Sequence, residues 1–338
     1  MVTALIDSQH VSSGKIADQQ PGRIQAMSQV KKNDRWLENK WVDTQTFFIP
    51  LAIQLVAAIS RQFGELIFII DGSVTGRNCQ TLMVSVLWKG KALPPLWKTI
   101  QGPKGHFPQA DHLALLSRLA ELVKPLSGVR CIMLGDETGL AFQYDGSDWI
   151  KGLQERGFEY VLRTAKDTLL TSQDQETFQG KHLSVGKESQ LFIADCQLSS
   201  RVRTHFLVWH EAGFREPIYL LTNLEAGVLA TGYYRKRFRI ETLFKDFKSE
   251  GFQLGACKLS DPAKIERLLI VCSLSYLWLV GLGSLLSGKQ QWLKRVYKVQ
   301  KDCFNLFTVG KRLYNYLIKN DLIIPKVFQY FLKIKVSV

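Results

Sequence analysis

The apolar positions of this chain fall into short runs that alternate with longer stretches of helical periodicity. ELIFIID, closing at Asp71, and VRCIMLGD, closing at Asp136, are compact, aliphatic and bounded by turn residues, as buried strands are. QTLMVSVLW and KALPPLWKTI flank Gly90 and predict a hairpin. HLALLSRLAELVKPL has a helical period that stops at Pro125, and DWIKGLQERG predicts a further helix before a third strand, EYVLRTA. This alternation predicts an α/β fold. From Asp167 to Asn223 the pattern changes to KHLSVG, SQLFIADCQL, RTHFLVWHE and EPIYLLTN, a β-rich block that interrupts the alternation. Before the first strand, residues 1–60 predict short helices, with a basic run at Lys31, Lys32 and Arg35 and a longer apolar helix in FFIPLAIQLVAAISRQF.

A second helical pattern follows the β-rich block in TGYYRKRFRIETLFKDFKSEGF. On a helix of about 100° per residue, Tyr234, Arg237, Glu241 and Lys248 fall at roughly 0°, 300°, 340° and 320°. They share one narrow polar face, away from the apolar stripe of Ile240, Leu243, Phe244 and Phe247. A core-facing helix needs the stripe and has no need of the polar face. The spacing alone also fits a solvated helix with an i,i+4 Arg-Glu pair.

From Leu268 to Gly288 no residue is charged, a run of 21 residues that is long enough to span a bilayer. It follows directly on the charged DPAKIER, holds four serines and three glycines, and has no second such segment beside it. A helix buried in a protein core is the expectation, with no membrane partner.

The formal net charge of +14 in 338 residues calls for an anionic partner. Residues 289–338 hold eleven Lys or Arg against Asp302 and Asp321, a net of +9, interleaved with Trp292, Tyr297, Tyr314 and Tyr316. Such a surface suits a phosphate backbone, and it equally fits a solvated face on packed helices. The six cysteines are scattered without a CxxC and predict buried free thiols in a reducing compartment. The six histidines form no cluster. The polar N-terminus lacks the basic-then-apolar order of a signal peptide.

Carboxylates at the C-terminal ends of strands face the crevice where open α/β sheets bind ligands. If the strands ending in Asp71 and Asp136 are neighbours, the two charges repel unless cations neutralise them. Mg²⁺ accepts one or two carboxylates and completes its shell with water and substrate phosphate. A third carboxylate, Glu241, would allow two metals and in-line displacement at phosphorus, with Arg237 and Lys248 contacting phosphates. Either aspartate taken singly reads more readily as a turn or cap residue.

The order Asp, Asp, β-rich interruption, then Tyr-x2-Arg-x3-Glu-x6-Lys resembles the DDE-type insertion-sequence transposases with an RNase H-like catalytic domain (insertion sequence family four). IIDGS around Asp71, EPIYLLTNL before the helix and RWLENKW near the N-terminus also resemble that family. The resemblance spans roughly residues 20–315. It implies a mixed RNase H-like sheet flanked by helices and cut by a β-rich insertion. It divides the chain into a helical N-terminal DNA-binding region (1–60), a catalytic domain in two parts (61–166 and 225–288), the insertion (167–224) and a basic helical C-terminal region (289–338). It further implies cut-and-paste transposition: Mg²⁺-dependent nicking, a hairpin at the transposon end and strand transfer, with Mn²⁺ able to substitute. A homodimer would act on the terminal inverted repeats and on target DNA, in a bacterial cytoplasm at the nucleoid. Asp71, Asp136 and Glu241 would be the catalytic metal ligands, and Tyr234, Arg237 and Lys248 would hold DNA beside a flipped base. Trp209 is the candidate aromatic for that base, although a strand-face core residue is the more ordinary reading of it.

Asp136 is followed by Glu137-Thr138-Gly139 where the family often has Asp-Arg-Gly-Phe, so Glu137 and Asp145 stand as alternative second ligands. The region before Asp71 is short for a full end-recognition domain, which leaves an N-terminally shortened copy open. A metal-dependent endonuclease that never joins strands, and a non-catalytic basic DNA-binding protein, are the competing readings.

Overall fold

The computed structural model describes residues 1–22, 24–103, 105, 107–126, 128–136, 147–199, 202–297 and 305–328. The chain divides into two compact units, one of residues 1–62, 74–79 and 241–338 and the other of residues 63–73 and 80–240. The helices are α1 (Val2–Ser8), α2 (Ser13–Asp18), α3 (Ala26–Glu38), α4 (Thr44–Phe47), α5 (Ile49–Phe63), α6 (Gln109–Val123), α7 (Ser147–Glu155), α8 (Gly227–Tyr234), α9 (Arg239–Phe247), α10 (Pro262–Ser284), α11 (Gln290–Tyr297) and α12 (Leu306–Lys319). The strands are β1 (Glu65–Gly76), β2 (Cys79–Trp88), β3 (Lys91–Gln101), β4 (Arg130–Gly135), β5 (Glu159–Arg163), β6 (Leu169–Thr171), β7 (Thr177–Gln179), β8 (Ser189–Ser199), β9 (Val202–His210) and β10 (Ile218–Thr222).

The second unit is built on one sheet in the order β3-β2-β1-β4-β5-β10-β9-β8-β6-β7. β1, β4 and β5 run parallel, and β10, β9 and β8 continue the sheet in antiparallel fashion. This is the mixed, helix-flanked, RNase H-like arrangement that the resemblance implies, with α6, α7 and α8 packed on the strands. Leu66 to Ile70 are buried without a break, as in a central strand covered on both faces. The β2–β3 hairpin turns at Lys89 and Gly90, which both have positive φ (46° and 74°), the backbone of a type I′ turn. β3 is the edge strand, so whichever of the consecutive Pro94 and Pro95 turns its nitrogen away from β2 removes no ladder bond.

The β-rich block joins this sheet rather than forming one of its own. KHLSVG is not a strand: Gly180–His182 form a 3₁₀ turn, and the flanking residues 169–171 and 177–179 pair instead. A side chain at Gly180 would strike the rings of Tyr219 and Phe206, so the chain turns where it has no Cβ.

In the first unit the apolar stretch after Asp261 forms α10, whose N-terminus Asp261 caps by accepting from the Ala263 and Lys264 N–H groups. By length and composition α10 could cross a membrane, but 78% of its apolar window is buried inside the protein. It is a core helix. Phe247, Phe252, Tyr276 and Phe307 pack ring on ring around it, with centroids 5.3–6.0 Å apart. Arg267 donates to the carbonyls of Leu37 and Val42, both at 2.8 Å, and fixes the end of α3 and the turn before α4 on α10. Tyr314 on α12 reaches Asp7 just inside α1 at 2.8 Å.

The described cysteines are all free thiols, and Cys79, Cys131, Cys196 and Cys272 are buried. Burial pushes the thiols of Cys131 and Cys196 up to about 11, so they stay protonated and unreactive at neutral pH.

Candidate active site

Parallel pairing of β1 with β4 runs from Glu65↔Arg130 to Ile70↔Gly135. Asp71 and Asp136 are each the next residue, so they stand side by side where the parallel ladder ends. β1 itself runs on to Gly76 in its hairpin with β2, so Asp71 sits within the strand rather than at its end. Asp71 Oδ1 accepts from the Gly72 N–H at 2.7 Å.

Asp136 is 6% exposed and faces two guanidinium groups: Arg237 Nη2 lies 3.3 Å and Arg163 Nη1 3.6 Å from Oδ2. Arg163 is the residue after Leu162, which pairs with Gly135 on β4, so register alone sets it beside Asp136. The sequence carries the signal for it, a third strand that closes in arginine as the first two reach aspartate.

Tyr234 and Arg237 come together through a change of helix type. α8 ends at Tyr234, residues 235–238 form a 3₁₀ turn, and α9 begins at Arg239. Residues three apart eclipse in a 3₁₀ helix. Arg237 therefore lies against Tyr234, its guanidinium 5.6 Å from the ring centroid and 4.3 Å from that of Phe238. The uniform 100° step expected from Tyr234 to Lys248 does not hold through this turn. Both side chains are buried, Tyr234 at 1% and Arg237 at 4%, which rules out a solvated face here. Burial, and next the charge of Asp136, push the Tyr234 phenol up to about 12, with Arg237 and Arg163 opposing. The hydroxyl is neutral at any working pH.

Trp209 on β9 is 5% exposed and meets Tyr234 edge to face at 6.5 Å. The Arg235 guanidinium covers its ring at 4.9 Å and is anchored by Glu211 at 2.7 Å. Glu241 and Lys248 belong to the first unit: Glu241 is exposed in the first turn of α9, and Lys248 follows its end half-buried. The apolar stripe is as expected, with Ile240, Leu243, Phe244 and Phe247 all buried. Glu137 and Asp145 lie outside the described residues. Among the described residues no group of three or more His, Cys, Asp or Glu is drawn together as a metal cluster.

Residues 142–278 match the family of the transposase DDE domain. Over that stretch the chain is similar to the DDE-type transposases. The matched stretch of the DDE domain contains Arg163, Trp209, Tyr234, Arg237, Glu241 and Lys248, while Asp71 and Asp136 precede it. No curated protein matches the chain. Solved structures similar to it include two of human endonuclease V. The catalytic domain of human endonuclease V has 12% identity over 67% of this chain and 84% of that one, with a TM-score of 0.26. Human ENDOV has 13% identity over 72% and 94%, with a TM-score of 0.25.

Proposed function

We propose that the chain catalyses cut-and-paste transposition of DNA, by metal-dependent nicking, hairpin formation at the transposon ends and strand transfer. The observation that carries this reading is that Asp71 and Asp136 each follow the last pair of the β1–β4 ladder, Ile70↔Gly135, with Arg163 and Arg237 on the second carboxylate. Two hard, anionic oxygen donors in adjacent register suit a hard divalent cation. Asp71, Asp136 and Glu241 would hold Mg²⁺ or Mn²⁺, which when bound offsets charge on phosphate oxygens and favours a deprotonated water or 3′-hydroxyl.

The protein's own part is to hold these groups. Arg237 and Arg163 bring two positive charges to the buried Asp136 carboxylate beside Asp71. Tyr234 supplies a neutral hydroxyl and a ring over which the Arg237 guanidinium sits, 5.6 Å from its centroid. Because Tyr234 and Arg237 are buried, their effect on DNA runs through Asp136, whereas Arg163, about two-fifths exposed, and the half-buried Lys248 would meet phosphates. Trp209 braces Tyr234, and a role with a flipped base would require its ring to be uncovered from Arg235. The substrates would be terminal inverted repeats and target DNA, held by a homodimer.

The deciding experiment incubates purified protein with a labelled transposon end, Mg²⁺ and target plasmid. Joined product that Asp136→Asn abolishes, while end binding survives, is the expected result. Nicking without joining would make the protein an endonuclease, and nicking that persists in Asp136→Asn would remove Asp136 from the site.

A further inference from the structure

Gly72 follows Asp71, and its N–H holds the Asp71 carboxylate at 2.7 Å. Its φ is not positive, so the backbone does not require glycine there. Space does: a Cβ on Gly72 would collide with the ring of Phe107, which therefore lies directly on the peptide that carries this N–H. Phe107 is 3% exposed and meets His112 edge to face at 6.0 Å, and His112 meets Trp149 of α7 in the same way at 5.8 Å.

His112 is itself fixed. It is 3% exposed in the first turn of α6, and burial lowers its pKa to about 4, so the ring is neutral. Its Nδ1 lies 3.3 Å from the Pro108 carbonyl and donates to it. His112 thus grips the segment after β3 twice, at the Pro108 carbonyl and at the Phe107 ring. The neighbouring Asp111 pairs with Lys98 on β3, which ties the start of α6 to the sheet.

We infer that Phe107 and His112 are positioning residues, which hold the Gly72 peptide and through it aim the Asp71 carboxylate. This rests on the reading of Asp71 as a metal ligand. Partners that orient a ligating carboxylate are worth about 10–100-fold in metal affinity.

The test is calorimetric titration of the full-length protein with Ca²⁺, with no DNA present, for wild type, Phe107→Leu, His112→Gln, Asp71→Asn and Leu119→Ala. Leu119 is fully buried elsewhere on α6 and controls for lost stability alone. The positioning role predicts at least about tenfold weaker binding in Phe107→Leu and His112→Gln. His112→Phe, which keeps the ring contact, should recover part of that loss, and Leu119→Ala should bind as wild type. Affinity lost in Asp71→Asn but no weaker in Phe107→Leu and His112→Gln than in Leu119→Ala would overturn the positioning role alone. Affinity unmoved in Asp71→Asn, or absent in wild type, would overturn the metal-ligand reading and this inference with it.

Discussion

Arg237 Nη2 stands 3.3 Å from Asp136 Oδ2, and the two side chains are only 5% and 6% exposed. Breaking a buried pair on one side costs about 3–5 kcal/mol where no second cation remains, and Arg163, 3.6 Å from the same carboxylate, makes that the upper end here. Arg237→Ala should lose stability up to that scale, as read from urea unfolding. Arg237→Lys should keep part of it, because an ammonium cannot reproduce the planar guanidinium that lies over Tyr234 and Phe238. The double variant Arg237→Ala, Asp136→Asn should be less destabilised than the two single changes added together, by more than about 1 kcal/mol. Strict additivity would show that the two groups do not depend on one another.

Much of this arrangement was legible before the structure, for reasons that differ by residue. Asp71 and Asp136 could be placed because buried parallel strands leave continuous apolar runs, and a carboxylate that ends such a run is conspicuous. Arg163 was equally available but carries no such contrast, since a basic residue at a strand end is ordinary. The burial of Tyr234 and Arg237 was not legible. It depends on the 3₁₀ turn at residues 235–238, and RKRF has no periodicity that separates 3₁₀ from α-helix. Trp209 could not be separated from a core residue by pattern, because its partner Tyr234 comes from a distant helix. The support under Asp71 was invisible for a similar reason: Gly72 reads as a turn residue until Phe107 is seen resting on it.

Alkaline pH should destabilise the second unit through its buried phenols. Burial pushes Tyr234 and Tyr160 up to about 12 from an ordinary 10. In the unfolded chain they ionise first, so their contribution is full below pH 10 and is lost as pH rises through 12. Each is worth about 2–3 kcal/mol. Chemical denaturation at a series of pH values from 8 to 12 should show this decline, and Tyr234→Phe should make it shallower. An unchanged slope in that variant would place the alkaline sensitivity elsewhere.

His112 predicts the opposite limb. Its pKa falls to about 4 in the folded protein from an ordinary 6.5, burial being the main cause and the Asp111 charge and Pro108 carbonyl opposing it. The stability tied to the neutral ring is full above pH 6.5 and is lost as pH falls through 4, an effect of about 3 kcal/mol. His112→Phe should flatten stability between pH 6.5 and 4. A variant that still loses stability over that window with the wild-type slope would show that other groups, carboxylates foremost, set the acid limb.

The first unit offers a sharper test of packing, at the crossing of α10 and α12. A Cβ on Gly310 would strike the Leu279 carbonyl, and one on Gly283 would strike the Leu306 carbonyl, so each glycine faces the other helix's backbone. Neither glycine has a positive φ, and an exposed helical site would gain about 1 kcal/mol from Gly→Ala. Here the sign should reverse. Backbone cannot rotate away as a side chain can, so the helices must separate, and overpacking of this kind costs about 1–3 kcal/mol or more. Gly310→Ala should therefore lower the urea midpoint, whereas Gly255→Ala, with nothing near its Cβ, should leave it within about 0.5 kcal/mol of wild type. Because Phe307 and Tyr276 stack at 5.3 Å in the same contact, the Gly310→Ala protein should also lose near-ultraviolet circular dichroism from the aromatic cluster. A Gly310→Ala protein as stable as wild type would mean that α12 does not pack on α10 at this distance.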